Sequence, residues 1–222
     1  MALKRDIITA AIGILVLTLL VGVLYPLIMT GISQVAFPGN ANGQKVYVNG
    51  KLVGSKLIGQ QFATSVINPN TGKVKLDSNG NPVTKPDPRY FQTRPSATLP
   101  ANNAATTTFS NLGPNSKLTE QSIAANIQSY LALNKPYDPG LSSAQVPVDA
   151  ANTSASGIDP DISPANADVQ AHRVAVIRHL PLSRVMSLIS AYTGGRGLGF
   201  AGEPTVNVLE LNLALDRLQG GH

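Results

Sequence analysis

No cysteine and no tryptophan occur in this sequence. The first absence excludes disulfides, thiolate metal sites and cysteine nucleophiles. Charge is also scarce. Asp, Glu, Lys and Arg together make up 13% of the chain, about half the usual globular share. The shortage is concentrated at one end, because no charged residue occurs between Ile7 and Gln44. Basic residues form no run and do not alternate with aromatics, so nucleic acid is a poor partner.

What fills the uncharged end is hydrocarbon. "IITAAIGILVLTLLVGVL" (7–24) would span about 27 Å as a helix, close to the thickness of a bilayer core. "YPLIMTGI" extends it to Ile32, with a kink expected at Tyr25–Pro26. A cleaved leader is the rival reading, but the run is longer than a leader's and no small-x-small site follows it. Lys4 and Arg5 flank the N-terminal end, and the next basic residue is Lys45. This asymmetry predicts residues 1–6 in the cytoplasm, a transmembrane helix over 7–32 starting at Ile7, and an extracytoplasmic domain over 33–222. Thr9/Gly13 and Thr18/Gly22 form small-residue pairs on roughly opposite faces, suited to a helix wedged between neighbours.

The outer part keeps 15 Lys+Arg against 11 Asp+Glu, about +4. "KVYVNGKLVGS" (45–55) predicts a hairpin turning at Asn49–Gly50. A second short hairpin, or a loose loop, is expected within 68–88. Helical stripes predict helices over 117–134, from a Ser163 cap with Pro164 at the first turn, and from a Ser183 cap to Gly194–Gly195. "QVPVDAANTSASGIDPDI" reads as a short strand and then a turn. The C-terminus reads as a short strand at Val206, then a helix with an Asn207/Glu210 capping box. The class expected is α+β: one N-terminal transmembrane helix followed by a single mixed α/β domain.

The stretch "SASGIDPDISPANADVQAHRVA" (154–175) carries serines, aspartates and a histidine. Asp159-x-Asp161-x-Ser163 starts like a calcium loop, but Pro164 and Gln170 stand where glycine and glutamate are needed. His172 and His179 are expected on one side of a single polar helix, too far apart to share a metal. No strained serine elbow precedes them. A turn feeding a capped helix accounts for more of these residues than catalysis does. Arg94 is suited to gripping a partner carboxylate, or to pairing inside the domain with Tyr90 and Phe91 as core aromatics. From residues alone, three classes remain open: an accessory transporter subunit, a tethered hydrolase, and an extracytoplasmic binding module.

Taken together, the blocks carry a resemblance. The helix with Tyr25–Pro26–Leu27, "GSKLIGQQF" (54–62), "YFQTRPSAT" (90–98), "SNLGP" (110–114), 154–175 and "GEPTVNVLELNLALD" (202–216) occur in one order. In this the chain resembles the C subunits of the Kdp high-affinity potassium-transporting ATPases. The polar stretches near 68–88 and 99–109 exceed that pattern. The resemblance implies a non-catalytic subunit needed for assembly and activity. Its implied partners are a potassium-selective channel-like subunit, an ATP-hydrolysing P-type subunit, a small hydrophobic subunit and the lipid bilayer of the cell membrane. It also implies a catalytic chaperone that raises ATP affinity. With the domain outside, ATP contact by Ser154, Ser156 or Gly157 conflicts with the topology, so no firmly bound cofactor is expected and ATP enters by the family description alone; the failed calcium loop and the histidine spacing leave no metal expected.

The anchor residues singled out are Ile7, Gly13, Gly22, Tyr25 and Pro26. Residues carried over from the family's blocks as candidate partner contacts are Gly54, Ser55, Gln60, Tyr90, Phe91, Arg94, Ser96, Ser154, Ser156, Gly157, Asp159, Gln170, Arg173, Glu203 and Asn207. Asp159, Asp161 and Glu203 are also candidates for an acidic cluster facing a cation entrance.

Overall fold

A computed structural model describes residues 2–98, 100–106, 111–154, 156–197 and 199–220. Residues 107–110, the last of which opens the 110–114 block, Leu99 of the 99–109 stretch, and Ala155 of the 154–175 stretch lie outside the described residues. The chain divides into two compact units, Met1–Lys45 and Val46–His222.

The first unit is helical: α1 (Ala2–Leu19), a π turn (Leu20–Leu24), α2 (Tyr25–Ala36) and a short α3 (Pro38–Ala41). From Ala2 to Ala36 it runs for 35 residues and is long and apolar enough to cross a membrane. The disturbance expected at Pro26 takes the form of the π turn. Pro26 has no N–H for the carbonyl one turn back, and its ring crowds that carbonyl. The backbone widens ahead of it, and the Tyr25 N–H donates to the Leu20 carbonyl, five residues earlier. The hydroxyls of Thr9 and Thr30 donate to the carbonyls of Arg5 and Pro26, which satisfies them inside an apolar helix. Space beside Gly13 is open: an added Cβ would meet nothing within 4 Å.

The second unit is α+β. β1 (Lys45–Val48) and β2 (Lys51–Ser55) form a hairpin. Asn49 (φ 51°) and Gly50 (φ 76°) both take positive φ, as a type I′ turn requires. β3 (Ala63–Ser65) pairs antiparallel with β4 (Thr84–Pro86). Between them the polar insert forks into two small loops. Lys75 joins the loops, its N–H donating to Val66 and its carbonyl accepting from Val83.

α4 (Lys117–Asn134) starts at Ser116, whose side chain accepts from the Leu118 N–H. The strand expected near 145–148 is absent. Ser142 and Gln145 close a capping box on a 3-10 turn (Ser143–Gln145), and α5 (Val148–Ala151) follows Pro147 directly. Pro147 at the helix start favours that outcome over a ladder, where its missing N–H would leave a gap.

β5 (Asp161–Ile162) leads into α6 (Pro164–Ile177), capped by Ser163 accepting from the Asn166 N–H at 3.1 Å. α7 (Leu182–Tyr192) has Pro181 at its N-cap, so Ser183 lies inside the first turn and does not cap. The helix gives way to β6 (Thr193–Gly194) before the glycine pair is complete. β7 (Thr205–Asn207) is the middle strand between β5 and β6, and α8 (Val208–Leu218) follows it. Asn207 caps α8 by accepting from the Glu210 N–H. The reciprocal half of the expected capping box is replaced by an ion pair, Glu210 to Lys56 at 2.5 Å.

The core sits among α6, α7, α8 and β7. Phe91, Ala167, Ala171, Val174, Val185, Val206, Leu211 and Leu215 have no exposed surface. α6 is therefore largely buried rather than the polar helix expected, and it ends before His179. Arg178 closes it, and His179 turns the chain with φ 52°.

Candidate functional site

Residues 87–98 form irregular chain that crosses α6 and α8. Buried backbone without a ladder needs other partners, and these come from side chains. Five successive carbonyls, Pro88 to Gln92, each accept a hydrogen bond from a helix side chain. Arg173 donates to Pro88 and Tyr90, the latter at 2.9 Å, and Arg178 to Arg89 at 2.7 Å. Asn212 donates to Phe91 at 3.0 Å and accepts from the Phe91 N–H at 2.9 Å. Gln170 donates to Gln92 at 3.1 Å and accepts from the Gln92 N–H at 2.8 Å. The two amide side chains thus do for this segment what a neighbouring strand would do. Phe91 is pinned by them with its ring fully buried, worth about 1.5–3 kcal/mol.

Arg173 is the centre of the clamp and has no exposed surface. Besides the two carbonyls it donates to Asn134 at 2.9 Å and to Gln170 at 2.8 Å. Burial pulls its pKa down to about 10, so it remains charged at neutral pH. A network centred on the buried Asn166 continues from it, with the Asn166 side-chain oxygen accepting from both Gln170 and Tyr130. Burial likewise raises the pKa of Tyr130. Arg178 extends the clamp outward, pairing with Asp216 at 2.9 Å and lying over the Tyr90 ring at 4.5 Å. Asp87 closes the start of the segment. Its hydrogen bonds from the Arg89 side chain, opposed by burial, hold its carboxyl below the usual range.

The second cluster joins 94–98 to 154–159. Ser154 is buried; its N–H donates to the Pro95 carbonyl, and its hydroxyl accepts from the Gly157 N–H at 3.0 Å. Ser156 donates to Asp159 at 2.5 Å, and Asp159 pairs with Arg94 at 3.0 Å. Ser96 donates to the Gly157 carbonyl and accepts from the Asn102 N–H. Gly157 has φ +75°, and an added Cβ would lie 2.7 Å from Thr98 Cγ2. Gly59 also packs here, its N–H on the Ile158 carbonyl, with no room for a Cβ beside the Asp159 carbonyl. Ser156 thus gives its proton to a carboxylate held by a guanidinium, with no imidazole in the set. That is a turn lock rather than an activated nucleophile. Among the described residues no group of three or more His, Asp or Glu could hold a metal ion.

The candidate residues separate by position. Phe91, Ser154, Gly157, Gln170 and Arg173 are buried. Partner contact was expected of them, but this fold spends them on its own backbone. Arg94 takes the internal alternative. Gln60, Ser156 and Glu203 are exposed, and Gly54, Ser55, Tyr90, Ser96, Asp159 and Asn207 are partly so. Gly54 is a close approach, where a Cβ would lie 2.9 Å from Leu209. The acidic trio is partnered separately: Asp159 by Arg94, Asp161 by Thr205 and Asn207, Glu203 by Arg196. Sequence reasoning missed Asn134, Asp149, Arg178 and Asn212. The available signal was Asn212 itself, a polar residue inside the apolar run "LELNLALD".

Comparison with known proteins completes the picture. The family described as "KdpC: K+-transporting ATPase, c chain" matches residues 7–217. The chain belongs to this family. Similar proteins include the potassium-transporting ATPase KdpC subunit of Methylococcus capsulatus, 45% identical, with 95% of this chain and 96% of that one aligned. The KdpC subunit of Methylobacterium nodulans is 46% identical with 96% of both chains aligned, and that of Streptomyces coelicolor 39% with 93% and 89%. This family membership makes the chain an accessory subunit of a potassium-transporting ATPase, not itself the catalytic enzyme.

Proposed function

We propose that the chain is a single-pass subunit whose folded domain, taken as 33–222, lies outside the cell membrane. There it would seat on a channel-like, potassium-selective subunit, alongside an ATP-hydrolysing P-type subunit and a small hydrophobic one. The observation that carries this reading is the asymmetry of the anchor: Lys4 and Arg5 stand just ahead of the apolar run, with Asp6 between them and Ile7, and no basic residue follows before Lys45. Because the helix runs from Ala2 to Ala36, Lys4 and Arg5 lie within its N-terminal end and Lys45 stands nine residues past its C-terminal end; the asymmetry rests on that difference.

Nucleotide is not held by this chain, and its influence on ATP affinity, implied by the family resemblance, acts at a distance through partners. Two features support this. The α6 N-terminus, a natural phosphate site, is taken by Asp149, which accepts from the Ser163 N–H at 2.7 Å and from Asn166 at 3.0 Å. The serines of 154–156 are committed to Gly157 and Asp159. Exposed Gln60, Ser156 and Glu203 remain as candidate contacts with the partner subunits. A reporter active only in the cytoplasm, fused after Leu218, tests the placement: inactivity is expected, and activity refutes it. Labelling of this chain by a photoreactive ATP analogue in the intact complex would refute the remote action.

A further inference from the structure

We propose that the β1–β2 hairpin rests on the bilayer surface, with Tyr47 and Leu52 in the interfacial region, Lys45 on the same face at anionic lipid headgroups, and Lys51, on the other face, within range of their charge. This rests on the reading of α1–α2 as a membrane anchor, though not on which side the domain lies. A two-residue turn sets Tyr47 opposite Leu52, on one face. They are 56% and 51% exposed, an apolar pair left bare on a well-formed hairpin. Charge selects the occupant. No acidic residue occurs between Asp6 and Asp77, whereas Lys45, Lys51, Lys56, Lys73 and Lys75 all fall there. Lys45 and Lys51 take part in none of the ion pairs found among the described residues. An aromatic and a leucine flanked by lysines, with no acid nearby, is the composition of a membrane–water interface. The tether is short, since Tyr47 follows Ala36 by eleven residues.

The lack of tryptophan makes the test direct, because any introduced indole is the sole emitter of its kind. Full-length Tyr47→Trp is reconstituted in phosphatidylcholine/phosphatidylglycerol vesicles with or without brominated acyl chains. Ile14→Trp marks the anchor, and Val148→Trp, at a site 73% exposed, marks the solvated domain. Quenching of Tyr47→Trp and Ile14→Trp, but not of Val148→Trp, is expected. Adding Lys45→Gln and Lys51→Gln should lower the quenched-to-unquenched ratio about 30-fold, from roughly one factor of five per lysine. If Ile14→Trp alone is quenched, the hairpin proposal falls and the anchor stands. If neither is quenched, both fall. Equal quenching of Val148→Trp, or a blue shift of Tyr47→Trp only in the assembled complex, also overturns lipid docking, the latter in favour of a protein partner.

Discussion

Residues 88–92 and 66–83 are both irregular chain, and they are held in opposite ways. The first is pinned against α6 and α8 through the fully buried Phe91, and every carbonyl is claimed by a side chain far away in sequence. The second lies in solvent and holds itself. Asp77 accepts from the N–H groups of Asn79 and Asn81, Asn68 from that of Asn70, and Lys75 bridges the fork. The difference shows where the family pattern can stretch. A loop whose hydrogen bonds are local can be enlarged without disturbing anything else. A loop whose bonds come from two helices cannot.

Four experiments test that contrast. Replacing Arg173 with Ala should have the largest effect, because it strips Pro88 and Tyr90 of donors and empties the clamp. A loss of about 3–5 kcal/mol is expected in urea unfolding of the full chain in detergent. A loss under 1 kcal/mol would mean the clamp is not structural. Asn212→Ala should cost about 3 kcal/mol, since both polar groups of the Phe91 backbone lose their partner.

Asp87 provides the pH test. Its folded-state carboxyl titrates below its unfolded value, so its contribution is present above that value and is lost as pH falls. Wild-type stability should decline below about pH 4, and Asp87→Asn should flatten that part of the profile while costing about 1 kcal/mol at neutral pH. The smallest effect is expected in the insert. Replacing 67–82 with Asn-Gly joins Val66 to Val83, already hydrogen-bonded partners, through a type I′ turn. Stability should change by less than about 0.5 kcal/mol, and potassium-stimulated ATPase activity of the complex should persist. A large loss of activity would give the insert a partner-facing role.

The same contrast explains what was legible beforehand. Local signals were readable: the Asn49–Gly50 turn, the caps at Ser163 and Asn207, the proline after Ser163, and the helix over 117–134. So was the family, from blocks in order. The clamp was not, because an amide reaching a backbone 121 residues away leaves no periodicity. Gln170 and Arg173 were singled out as partner contacts, whereas their work lies inside the fold. The short strand expected near 145–148 failed for a local reason: Pro147 suits a helix start as readily as a strand edge. Ser183 failed similarly, with Pro181 taking the cap.

One consequence concerns time rather than stability. Asn212 lies on α8, 121 residues after Phe91. A chain emerging N-terminus first therefore exposes Phe91 long before the amide that secures it has been made. The domain has no finished intermediate built from its first half. Chains ending before Leu209 should be synthesised at normal rates yet remain protease-sensitive at 88–92.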